Sequence, residues 1–137
     1  MMATERKSVA VYGLEHAVLA ARVATETGVP VNLISGDAAA AHAGPAWFRS
    51  LLEETRRQAP AADVEGALDC GDFTGYALAA LREGLPTIIY DGTANDAVDD
   101  IARQCGATVL RRRPAALDAR AAESAGSLKA ALQAWIT

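Results

Sequence analysis

Cysteine is scarce in this chain. Cys70 and Cys105 stand far apart and outside any CxxC or Cys/His spacing, which implies neither a zinc site nor a disulfide framework and favours a reducing compartment. The two lysines, Lys7 before the first strand and Lys129 near the C-terminus, leave no strand-end lysine for Schiff-base chemistry. No apolar run reaches the ~20 residues that span a bilayer, and the opening residues lead into a strand rather than a signal segment. A cytoplasmic protein is therefore expected. Positive charge is also short: 17 acidic side chains face 13 Lys and Arg, and the net charge of −4 argues against a general binder of nucleic acid or anionic membrane.

Several motifs are missing as well. There is no GxGxxG after a strand, no GxxxxGK[ST], no GxSxG and no HExxH, so dinucleotide, P-loop, nucleophile-elbow and zincin chemistry all lack their defining residues. An FMN loop would need hydroxyl-rich residues after the first strand, where the chain has Leu14-Glu15-His16-Ala17. NAD, FMN and ATP thus have no motif; a divalent cation stays open.

What is present is a regular alternation. The 137 residues, 51% hydrophobic and 22% charged, suffice for one globular α/β domain over 1–137. A β-rich run, Ser8–Tyr12, ends at Gly13 and passes into Leu14–Thr27, whose apolar residues recur at helical spacing up to the stop at Gly28. The cycle repeats with a strand at Val29–Ile34 and a helix beginning at Pro45 and closed by Pro60, then a strand at Val64–Asp69 and a helix from Asp72 to Glu83. A strand at Leu85–Tyr90, a helix over Asn95–Cys105 and a fifth strand from Ala107 to Leu110 complete it.

Strands alternating with helices of this length imply parallel pairing with right-handed crossovers. The pattern predicts a three-layer α/β/α fold with a five-stranded, mostly parallel sheet, first of all in the flavodoxin-like order 2-1-3-4-5. Half of a (β/α)8 barrel has the same linear pattern and ranks second. After Pro114 the stretch 114–127 reads as a linker. Residues 128–136 form an amphipathic helix with Leu128, Leu132, Trp135 and Ile136 on one stripe, to be docked on its own sheet or on a second copy. The Ala-rich loop 36–44, which carries His42, is longer than a tight turn requires.

In open α/β sheets, ligands bind beyond the carboxyl ends of the strands. That rule directs attention to Gly13, Glu15 and His16 after the first strand, to Asp69, Gly71, Asp72 and Thr74 after the third, and to Asp91, Gly92, Thr93 and Asn95 after the fourth. The order 2-1-3-4-5 would bring His16 near Asp69. Asp69 and Asp91 end apolar strands, where a carboxylate can hold a divalent cation, act as general base, or fix the following turn. His16 could assist as acid, base or ligand. Asp72, Thr74, Asn95 and Asp96 are placed first of all as helix caps and dipole-complementing groups. Cys70, just before a helix, is a buried thiol or a nucleophile. Arg111, Arg112 and Arg113 could hold a phosphate or carboxylate, with strand alternation putting Arg111 and Arg113 on one face.

Three functions follow as expectations: a small-molecule domain that takes a polar or anionic ligand; a small metal-dependent or acid/base lyase, isomerase or hydrolase using Asp69, Asp91 and His16; and a homo-oligomeric assembly module pairing through Trp47, Phe48 or the C-terminal stripe.

Overall fold

The structure, a computed structural model, describes residues 5–37 and 43–137. His42 and most of the 36–44 loop lie outside the described residues. Six strands and six helices follow one another along the described chain, alternating as far as β5: β1 Lys7–Val11, α1 Leu14–Thr27, β2 Val31–Ser35, α2 Pro45–Gln58, β3 Val64–Asp69, α3 Thr74–Arg82, β4 Thr87–Ile89, α4 Asn95–Cys105, β5 Thr108–Leu110, β6 Ala116–Asp118, α5 Ala119–Ser124 and α6 Leu128–Trp135. The α/β class with a parallel sheet is as expected. The sheet has six strands rather than five, in the order β5-β4-β3-β2-β1-β6.

That order corrects 2-1-3-4-5. Consecutive strands are neighbours from β1 to β5, the adjacency that half a (β/α)8 barrel also requires, and no switch point lies between β1 and β3. The far side of β1 is taken by β6, which pairs with it in parallel: Ser8 with Ala116, Val9 with Leu117, Ala10 with Asp118. The stretch 114–127 is therefore a strand and a helix rather than a linker. Its strand is three residues long with no β-branched side chain, so it gives no alternation to read.

The chain divides into two compact units. The first holds the described residues up to Ile34, Leu51–Glu65 and Ala115–Thr137. Its core is built on β1, where Val9 and Val11 are fully buried, and on the face of α1 that carries Ala17, Ala20, Ala21, Val23 and Ala24. Each buried valine contributes roughly 1.5–3 kcal/mol by leaving water. Helix α6 packs on α1 with Leu132 and Ile136 fully buried, and the Trp135 indole N–H donates to the Ser8 carbonyl at 2.8 Å while Lys7 lies over its ring. The C-terminal stripe is thus covered within its own unit.

The second unit holds Gly66–Pro114 and the described part of Ser35–Ser50. Here β3, β4 and β5 pair in parallel, with Leu68 against Ile88, Asp69 against Ile89, and Ile89 against Leu110. Helix α3 packs on α4. Phe48 is fully buried and Trp47 half-buried beside it, at 6.0 Å between ring centres.

Candidate functional site at the carboxyl ends of β3, β4 and β5

A cleft of about 420 Å³ opens in the second unit where β3, β4 and β5 end, lined by Asp37, Asp69, Gly71, Ile89, Asp91 and Arg111 to Arg113. Strand β5 stops at Leu110, so the three arginines follow the strand rather than belong to it. Alternation does not separate them, and all three line the cleft.

Asp69 lies at its base, 5% exposed. One carboxylate oxygen accepts the Gly71 N–H at 2.8 Å, and the other takes Arg113 Nη1 at 2.7 Å. The bond to Gly71 requires a tight reversal just after the strand, and Gly71 makes it in the left-handed region, at φ 56°. Arg113 also donates to the Ser35 carbonyl at 2.8 Å, and its Nε is 3.4 Å from Asp37. Ser35 Oγ in turn accepts the Asp69 N–H at 2.8 Å. As it stands, Asp69 fixes a turn and anchors an arginine.

Arg111 is held on the other side, donating to Asn95 Oδ1 at 2.7 Å and to Asp99 at 2.6 Å. Arg112 is exposed and has no hydrogen-bond or ion-pair partner among the described residues, and the same is true of the Asp91 carboxylate. The Asp91 backbone is nevertheless fixed, its N–H donating to the Gly71 carbonyl at 2.9 Å.

The helix starts beside the cleft are organised by a side chain that sequence reading passed over. Tyr90 is fully buried, and its hydroxyl is 2.7 Å from Thr74 Oγ1 and 3.0 Å from the Ala94 N–H, which it accepts. Gly92 leaves room for that ring, since a Cβ there would stand 2.4 Å from the hydroxyl oxygen. The expected caps do not form. The N-cap positions of α3 and α4 are Phe73 and Ala94, neither with a side-chain cap bond, while Thr74 faces Tyr90 and Asn95 faces Arg111. Asp96 lies in the first turn of α4, where it complements the helix dipole. Asp72 and Thr93 are exposed, and their side chains make no hydrogen bond among the described residues.

Burial, followed by the neighbouring Asp69 charge, pushes the Cys70 thiol up from an ordinary 9.0 to about 12. It stays neutral near pH 7, so the nucleophile reading has no thiolate to act with.

The remaining expected residues lie in the first unit. His16 accepts the Tyr12 N–H on Nδ1 at 3.2 Å, which places its ring proton on Nε2, 3.3 Å from Glu123. Tyr12 donates to Asp118 at 2.6 Å, Asp118 caps α5 through the Ala121 N–H, and the Arg120 guanidinium lies 3.9 Å over the Tyr12 ring. His16 thus ties the start of α1 to α5. Gly13 is the extended N-cap of α1, and Glu15 is exposed in its first turn. Among the described residues no group of three His, Cys, Asp or Glu side chains is placed to hold a metal ion, and no helix is long and apolar enough to cross a membrane.

Neither a scan against models of known protein families nor a search of curated proteins finds a match for this chain.

Proposed function

We propose that the cleft at the ends of β3, β4 and β5 binds a small polar or anionic molecule, with Arg112 as its principal contact. The observation that carries this reading is the unequal state of three consecutive arginines on one cleft. Arg111 and Arg113 are neutralised and oriented by Asp99, Asn95 and Asp69, whereas Arg112 meets no acid among the described residues. A guanidinium presents a planar fork suited to carboxylate or phosphate. The flanking pairs stiffen the loop from which Arg112 projects and lower the ordering cost of binding.

An acid/base role for Asp69 gains no support, because both its oxygens are engaged. The free thiols of Cys70 and Cys105 favour a reducing, cytoplasmic setting for such a domain.

The test is a thermal-shift screen against inorganic phosphate, small carboxylates and sugar phosphates. A ligand at ~100 times its dissociation constant adds about 2.7 kcal/mol and raises the midpoint of a chain this size by several degrees. The rise is expected to vanish in Arg112→Gln and to persist in Arg82→Gln, an exposed arginine on α3. A panel that shifts neither wild type nor variant sinks the proposal.

A further inference from the structure

The cleft carries a second unsatisfied charge, of opposite sign. Strands β4 and β5 are paired at Ile89 and Leu110, and Asp91 and Arg112 each stand two residues beyond that pair. Parallel neighbours run ~4.8 Å apart, and the two residues follow adjacent strand ends at the same distance along the chain. Opposite charges so placed ordinarily close on one another. Here both line the same cleft, both are exposed, and neither has a hydrogen-bond or ion-pair partner among the described residues. The other charges of the cleft are paired: Asp69 and Asp37 with Arg113, and Arg111 with Asp99. One cation and one anion are left over.

From this juxtaposition we infer that the ligand is a small aliphatic zwitterion, an amino-acid-like molecule whose carboxylate meets Arg112 and whose ammonium meets Asp91. Ile89 is the one aliphatic side chain among the described lining residues, and the hydrocarbon body of the ligand would lie against it. None of the described lining residues is aromatic, so a nucleobase would find no ring to stack on. The inference rests on the anion-binding reading above and narrows it, because a plain anion would leave Asp91 repelling it across the cleft.

Isothermal titration with matched trios tests the idea: 5-aminopentanoate, pentanoate and pentylamine, and L-leucine, 4-methylpentanoate and 3-methylbutylamine. In at least one trio the zwitterion is expected to bind about tenfold or more tightly than the carboxylate, the gain of one added charge-assisted hydrogen bond. Asp91→Asn, which keeps the size of an exposed side chain, removes that advantage and leaves carboxylate binding in place. Arg112→Gln removes both. If a carboxylate binds as tightly as its zwitterion and Asp91→Asn changes nothing, the zwitterion inference is wrong and the anion reading stands. If no member of either trio binds and the phosphate and carboxylate screen is also blank, both fall. An amine that binds as well as its zwitterion, unaffected by Arg112→Gln, overturns both as well.

Discussion

Asp69 shows how one residue is committed by its neighbours. With one oxygen on the Gly71 N–H and the other on Arg113, it is an acceptor twice over in a position 5% exposed. In Asp69→Asn the amide oxygen can still accept from Gly71, but Arg113 loses its buried counter-charge and keeps only the exposed Asp37 at 3.4 Å. A loss of about 1–3 kcal/mol is expected, read as a lower urea midpoint with unchanged slope; an unaltered midpoint would free Asp69 for a chemical role. Gly92→Ala is expected to cost about 1–3 kcal/mol by overpacking, because its Cβ would meet the rigid, buried Tyr90 ring rather than a flexible chain end. The cysteines differ just as sharply. At pH 8 iodoacetamide is expected to label the exposed Cys105 and to leave Cys70 unmodified until the protein is denatured, as mass spectrometry of the intact chain can report.

At the scale of elements, the C-terminal helix α6 answers a question that periodicity raises and cannot close. A stripe of Leu128, Leu132, Trp135 and Ile136 fits equally well on its own unit or on a second copy, since the pattern records only that one face is apolar. Two fully buried side chains, and an indole bonded to the Ser8 carbonyl, place it on its own unit. Leu132→Ala is accordingly expected to destabilise by roughly 2–5 kcal/mol with no change in sedimentation coefficient; a shift in sedimentation would put the stripe at an interface. The helices Leu14–Thr27 and Asn95–Cys105 and the strand Val64–Asp69 match the bounds legible in the sequence, because glycine stops and apolar spacing mark them locally. Strand β6 and helix α5 were not legible. The first has only three residues, none of them β-branched, and the second is a six-residue helix that begins at the Asp118 cap.

For the molecule as a whole, the buried thiol sets one pH dependence. Its folded value lies above the unfolded one, so the stability it contributes is complete below 9.0 and is lost as pH rises from there towards about 12. Chemical denaturation across that range should show wild type losing stability faster than Cys70→Ala, and parallel curves would mean that the thiol is not buried in the folded state. The alternation of strands and helices and the parallel pairing it entails were set by sequence alone, because short-range propensity, periodicity and glycine punctuation act within about a dozen residues. Which strands are neighbours was decided in three dimensions, where β6 took the open edge of β1 and excluded the order 2-1-3-4-5. The same holds for the site. That Asp69 would be neutralised by Arg113, 44 residues away, while Arg112 and Asp91 stay unpaired depends on how loops from separate strands converge, and no local pattern encodes that convergence.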